Sequence, residues 1–300
     1  MGARTAAWLD GERVELDSIR LPLMSHAAQR GSLVFDVFDV TGAEGGPFGL
    51  AARHHVERFL RSARLMELPV GWSVDELLAA SGSVAADVEG ARFVRLCGWW
   101  GGETLAVTPA ADDAPQVAVV AFSGPPLALD SSSATVATAD AIKLPADVLP
   151  PAVKVAAAYT HGALATKRAR AAGFDEIVFL DDEGRLTESA VMSLLLVVDG
   201  VIRTAPDTTV LDGITRQIVL DLAADEEIPV EIGPLPASLV ERATEAWFCS
   251  TSHLLWPIRR IDDHRMPVAP GQVGRRLGTR LRALVERTDP LTERWWTPLR

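Results

Sequence analysis

The sequence predicts an α+β protein in two domains. Apolar positions recurring at period two fall in groups, and these groups do not alternate one for one with helical stripes. A stretch rich in Pro, Ser, Ala and Asp, Ser123 to Pro151, separates two well-patterned halves. The chain has 300 residues, 48% hydrophobic and 23% charged, enough to bury two substantial cores.

In chain order, residues 1–30 read as a short strand pair turning at Asp10-Gly11. Residues 31–40 mix apolar and acidic positions, with Val34, Asp36, Phe38 and Val40 in step, and read as a strand. From His54 to Met66 the residues Val56, Phe59, Leu60 and Ala63 make a helical stripe, which puts Arg58 on a different face. Ser73-Val74-Asp75-Glu76 starts another helix, and strands follow at about 92–100 and 116–122. Residues 123–133 are expected to be an interdomain linker between a smaller domain, 1–122, and a larger one, 134–300.

Within the larger domain, Ala134 to Thr138 and Ile142 to Leu144 read as strands. A helix from about 156 to 172 ends at Gly173, in a favoured position for a helix stop. Strand is expected around Glu188 and over Leu194 to Val198, where Asp199-Gly200 signals a hairpin into Val201-Ile202-Arg203-Thr204. Helix follows Gly213 (Ile218, Val219, Leu222), then a strand at 228–232, a short helix at 236–243 and a strand at 245–250. A last amphipathic helix, about 270–287, carries Val273, Leu277, Leu281 and Leu284 on one stripe.

Bulk properties narrow the function. A net charge of −11 disfavours nucleic acid as a partner, and the stripe Arg275-Arg276…Arg280-Leu281-Arg282 reads as a solvated helix face. No apolar run reaches the ~18 residues of a membrane span. Early Asp10 and Glu12 do not fit a signal peptide. Cys97 and Cys249 lie in apolar windows and read as reduced core residues, and the histidines show no metal-ligand spacing. The expectation is a cytoplasmic protein without a metal.

Chemistry enters with the lysines. Only three occur among 29 basic residues, and there is a single tyrosine. Lys154 sits in the apolar run Leu149 to Ala158, just before Tyr159. Such a lysine either lies with its stem on an apolar surface and its head in water, or is a desolvated amine fit to be a nucleophile. Further along stand a carboxylate in Thr187-Glu188-Ser189, a glycine turn opening a helix at Gly213-Ile214-Thr215-Arg216, and hydroxyls closing a strand at Ser250-Thr251. An amine, a carboxylate, a helix start offering N–H groups and a set of hydroxyls suit pyridoxal phosphate.

The same residues carry a resemblance. Met24-Ser25-His26-Ala27, Gly31-Ser32, Val34-Phe35-Asp36, His55-Val56-Glu57-Arg58-Phe59, Ser62-Ala63 and Phe93-Val94-Arg95 come first. Then follow Lys154 to Tyr159, Gly173-Phe174-Asp175-Glu176, Thr187-Glu188, Gly213-Ile214-Thr215-Arg216 and Ser250-Thr251. In that order, from about residue 20 to the end, the chain resembles the class IV aminotransferases. These fold-type-IV pyridoxal-phosphate enzymes include branched-chain and D-amino-acid aminotransferases and aminodeoxychorismate lyase. The resemblance implies a smaller N-terminal domain, a larger cofactor domain, a cleft between them, and a homodimer in which the partner helps complete each site.

It also implies roles. Lys154 would carry the cofactor as a Schiff base and shuttle the proton. Glu188 would hold the pyridine nitrogen, and Tyr159 would lie by the phenolic oxygen. Arg58, Gly213, Ile214, Thr215, Ser250 and Thr251 would hold the phosphate end. Phe35, Val37, Arg30 and Arg95 would line the substrate side, the arginines meeting a carboxylate.

Departures concentrate on that substrate side. Phe35-Asp36-Val37 replaces a usual Phe-Glu-Gly, Arg30 replaces an aromatic, and Ala156-Ala157-Ala158 replaces Gly-Gly-Asn. Ser193 stands for an asparagine, Leu195 for an aromatic, and Phe122-Ser123-Gly124-Pro125-Pro126 lacks the usual aromatics. Trp99-Trp100 reads as core or dimer interface, or as an aromatic wall for a large substrate. The expected activity is a ping-pong aminotransferase acting on an amino acid and a 2-oxo acid, with a pocket diverged from branched-chain enzymes. A lyase of the aminodeoxychorismate type and a non-catalytic relative are the alternatives.

Overall fold

The computed structural model describes residues 5–43, 46–124 and 132–299. Most of the expected linker, 125–131, lies outside them. The opening hairpin turns where its residues permit. Asp10 and Gly11 hold φ of +45° and +103° between β1 (Thr5–Leu9) and β2 (Glu12–Val14), the left-handed region that a two-residue loop requires. A short helix, α1 (His26–Arg30), is capped by Ser25, whose side chain accepts from the Ala28 N–H. Next come β3 (Val34–Ala43), β4 (Gly46–Leu50), α2 (Ala52–Leu65), α3 (Val74–Ala86), β5 (Ala91–Trp100) and β6 (Pro115–Ser123). Ser73 and Glu76 start α3 with a reciprocal capping box.

The chain divides into two units. One draws on Met1–Pro126, Val153–Ala157 and Leu291–Arg300. Its described strands form one antiparallel sheet in the order Trp296–Pro298, β4, β3, β5, β6, β1, β2. Burial on β5 alternates: Arg92, Val94 and Leu96 are buried, whereas Phe93, Arg95 and Cys97 are half-exposed. The buried face meets α2, since a Cβ on Gly98 would lie 3.0 Å from the Phe59 ring. Registers Asp36↔Leu96 and Phe38↔Val94 put Asp36 on that helix-covered face, and Phe35↔Cys97 and Val37↔Arg95 put Phe35 and Val37 on the other.

The second unit draws on Leu127–Ala152 and Ala158–Pro290. It contains β7 (Ala134–Thr138), α4 (Ala156–Ala171, all but its first residues), β8 (Glu176–Val178), β9 (Arg185–Leu186), β10 (Ser193–Val198) and β11 (Val201–Thr204). These lead to α5 (Ile214–Asp225), β12 (Val230–Ile232), β13 (Leu235–Pro236), α6 (Leu239–Arg242), β14 (Ala243–Cys249), β15 (Trp256–Ile261), β16 (His264–Arg265) and α7 (Gln272–Val285). The described strands make a mixed sheet, β12-β11-β10-β14-β15-β7-β8, with β16 beside β15 and a separate β9–β13 pair. Strand β10 is buried along its whole length, which is why it reads as an unbroken apolar run.

Two expectations need correction here. Ile142 to Leu144 form no strand. Lys143 donates one backbone bond to the Leu180 carbonyl, and Pro145, lacking an N–H, stops a ladder from extending. The helix expected at 236–243 shrinks to the single turn α6, because Leu235–Pro236 pair with β9 and Ala243 already begins β14. Among the described residues no helix is long and apolar enough to cross a membrane.

Candidate active site

Candidate residues fall in both units, and each set is built by its own strands. In the first unit, residues 154–157 run beside 31–35. The Phe35 N–H donates to the Lys154 carbonyl at 3.1 Å, and Ala156 and Ala157 donate to Leu33 and Gly31 at 2.8 and 2.9 Å. Gly31 is required there: its φ is +67°, and a Cβ would lie 3.1 Å from the Ala157 Cα. The Lys154 N–H donates to Ser62 Oγ of α2 at 3.1 Å. Both flanks of the lysine are thereby fixed, and its Nζ lies 4.7 Å from the centre of the Phe35 ring. The Arg95 guanidinium is 4.4 Å from the same ring. Each cation over an aromatic face is worth about 0.5–1 kcal/mol.

Behind that face lies a group of buried polar residues that the helical stripe does not reveal. The stripe places Arg58 off the core face of α2, yet it is buried, together with His55 and Ser62. These form a second stripe at i, i+3, i+7, satisfied by partners on the sheet side. Arg58 Nε and Nη2 donate to Asp36 Oδ2 and Oδ1 at 2.8 and 2.9 Å, and His55 Nδ1 donates to Oδ1 at 2.6 Å. Burial works against the ionised Asp36, but the Arg58 charge and then His55 prevail, holding its carboxyl well below the usual range. Burial lowers His55, Asp36 opposes this, and the charges of Arg58 and Lys154 add to the lowering. Lys154 is thus a near neighbour of the triad.

The remaining first-unit candidates differ in placement. Val37 is half-buried directly across from Arg95. Arg30 is exposed and donates to the carbonyls of Gln29 and Ala106 at 3.3 and 3.4 Å. Trp99 is buried with Ala27 and Ala118, which favours its reading as core.

In the second unit, the elements converge on Ser193. Glu188 forms an antiparallel bridge with Ser193, and Ser193 pairs with Cys249 across β10 and β14. A Cβ on Gly213 would meet Ser193 Oγ at 2.5 Å, so only glycine lets the turn before α5 approach so closely. The Leu211 N–H donates to Glu188 Oε1 at 3.2 Å. Glu188, the 211–215 turn and the 249–251 strand end are therefore brought together. Ile214 and Thr215 are buried in the first turn of α5, whose N-cap Gly213 makes no side-chain cap bond. Ser250 Oγ accepts from the His253 N–H at 3.3 Å in a turn that also holds half-buried Thr251. Tyr159 is half-buried on α4.

Lys143 is absent from the sequence-based candidates. Its Nζ lies 2.5 Å from Glu188 Oε1. The available signal is its rarity, since it is one of three lysines in the chain. Neither cysteine is poised as a nucleophile: burial raises the Cys97 thiol despite Arg95, and pushes Cys249 up to about 12.

These residues suit pyridoxal phosphate. A half-buried amine rests on an aromatic ring, a buried carboxylate accepts a backbone N–H and an ammonium, and a glycine-opened helix start lies near hydroxyls. The family "Amino-transferase class IV" matches residues 33–261. The branched-chain-amino-acid aminotransferase of Escherichia coli (strain K12) is 29% identical over 274 residues, covering 89% of this chain and 87% of the relative. A putative branched-chain-amino-acid aminotransferase of Methanocaldococcus jannaschii is 28% identical over 257 residues, covering 85% and 87%. A solved structure of the T.th. branched-chain amino acid aminotransferase with pyridoxamine 5'-phosphate gives a TM-score of 0.92 at 28% identity, over 100% of both chains.

Fold and family together define a fold-type-IV pyridoxal-phosphate enzyme. The chain belongs to the class IV aminotransferases.

Proposed function

We propose that this chain moves an amino group between an amino acid and a 2-oxo acid in two half-reactions at one site, with ping-pong kinetics. What supports it most is the Lys154 amine, held between fixed backbone neighbours and 4.7 Å from the Phe35 ring. When bound, pyridoxal phosphate supplies a carbonyl carbon for the amine and a ring that takes up the electron pair of the broken Cα–H bond.

The protein's own residues do the rest. Lys154 would hold the cofactor and, with its amine free, would move a proton between the substrate's Cα and the cofactor's C4′. Glu188 keeps the ring nitrogen protonated, and Tyr159 orients the phenolic oxygen. Arg58, the N–H groups and hydroxyl of Gly213, Ile214 and Thr215, and the hydroxyls of Ser250 and Thr251 hold the phosphate. On the open face of β3 and β5, Arg95 meets a substrate carboxylate. Phe35 forms the floor, and Val37 narrows the space opposite Arg95. Arg30, committed to main-chain carbonyls, contributes less. The relatives' names make branched-chain amino acids with a 2-oxo acid the first pair to assay, and the isopropyl group of Val37 favours the smaller of them.

The test is the visible absorbance of the protein with pyridoxal phosphate, before and after L-leucine, L-valine, L-glutamate or D-alanine. The band is expected to fade with an L-amino acid, return with a 2-oxo acid, and be missing in Lys154→Ala. Fading with D-alanine alone would reverse the stereochemical reading. A band untouched by every donor, with pyruvate released from added aminodeoxychorismate, would favour the lyase.

The assembly we infer is a homodimer. Leu23, Leu105 and Val107 are 77%, 84% and 76% exposed on two segments joined by the Thr104 N–H to Met24 carbonyl bond, and large apolar side chains left open on neighbouring segments suit a subunit interface. Sedimentation should give twice the chain mass, and a monomer at micromolar concentration would contradict it. The free Cys97 and Cys249 are consistent with a reducing, cytoplasmic setting.

A further inference from the structure

Strand β3 serves two faces at once. Phe35 and Val37 point to the open side with Lys154 and Arg95, while Asp36 between them points into α2. Its carboxylate is fully committed. Oδ1 accepts from His55 Nδ1, the Val37 N–H and Arg58 Nη2, and Oδ2 accepts from Arg58 Nε. A carboxylate only accepts, so Nδ1 is the protonated nitrogen of His55. The three residues are 0%, 3% and 4% exposed for Asp36, His55 and Arg58. A guanidinium gripped along its Nε–Nη2 edge cannot turn about its own axis, which leaves one orientation for Arg58.

We propose that Asp36, oriented by His55, is a positioning residue that aims Arg58 at the cofactor's phosphate and so sets how much cofactor affinity depends on that phosphate. This rests on the phosphate role of Arg58 proposed above. Two effects of Asp36 oppose each other. Its negative charge weakens the pull of Arg58 on a phosphate, and its geometry holds the guanidinium in place. With water excluded from the triad, a misaimed guanidinium loses its directed hydrogen bonds to the ligand, and these outweigh the charge gained by removing Asp36. A role in folding alone would weaken all ligands alike.

The experiment compares dissociation constants for pyridoxal phosphate and for pyridoxal, which lacks the phosphate, using the full-length protein. Arg58→Met should abolish most of the preference for the phosphorylated form. Asp36→Asn should weaken pyridoxal phosphate by about 10- to 100-fold and leave pyridoxal nearly unchanged. His55→Phe keeps the ring bulk and loses the donor, and should give the same selective loss at smaller size. It also keeps the proposal testable if Asp36→Asn fails to fold. An unchanged or increased preference in Asp36→Asn and His55→Phe, with Arg58→Met impaired, would overturn the positioning role alone. An unchanged preference in Arg58→Met would overturn the phosphate role of Arg58, and the proposal with it.

Discussion

Lys143 and Glu188 form an ion pair in which the carboxylate is 8% exposed and the ammonium 24%. Removing the ammonium strands a buried charge, a loss that partial exposure of the lysine softens. Lys143→Met should therefore cost about 1–3 kcal/mol, read as a lower melting temperature of the apoprotein. Equal melting would show that the pair contributes nothing. The pair was not legible in the sequence because its partners are far apart and the window around Lys143 looks like strand. Lys154 was legible as a candidate: its apolar run alone left two readings open, and the ordered motifs around it supplied the role. Arg58 was legible as a candidate and misjudged in burial: a stripe of apolar residues says where a helix meets the core, and nothing about a carboxylate waiting on the facing strand.

Among the elements, those fixed by local chemistry were readable. The Asp10-Gly11 and Asp199-Gly200 hairpins turn with positive φ at both residues, and Gly173, at φ +86°, follows α4 as a helix stop. Helix α3 begins at Ser73 as its polar start suggests, and α2 and α7 fall within a few residues of their stripes. What escaped depends on distant partners. Glu245 of β14 accepts from the Gly271, Val273 and Gly274 N–H groups at 3.0, 3.0 and 2.9 Å, capping α7 from another element. The Ile142–Leu144 pattern had strand composition, but next to Pro145 its pairing stops at the one bond from the Lys143 N–H to the Leu180 carbonyl. Strand β15 is not among the expected elements; Pro257 within it weakens the pattern of a central strand, yet it pairs with β14 and β7.

For the whole molecule, the mixed α+β class followed from grouped strands, and it holds. Composition does not reveal that Val153–Ala157 and Leu291–Arg300 return to the first unit. That return gives Lys154 its neighbours: the lysine sits beside Phe35, Ser62 and the Asp36–His55–Arg58 triad. Family membership came from ordered motifs spread over most of the chain, and the matched span, residues 33–261, contains them from Val34 to Thr251.

Of the three lysines, Lys154 is the one we propose to carry the cofactor. Borohydride reduction of the protein loaded with pyridoxal phosphate, followed by peptide mass spectrometry, should find the pyridoxyl group on Lys154. A label on Lys143 or Lys167, or none at all, would contradict it.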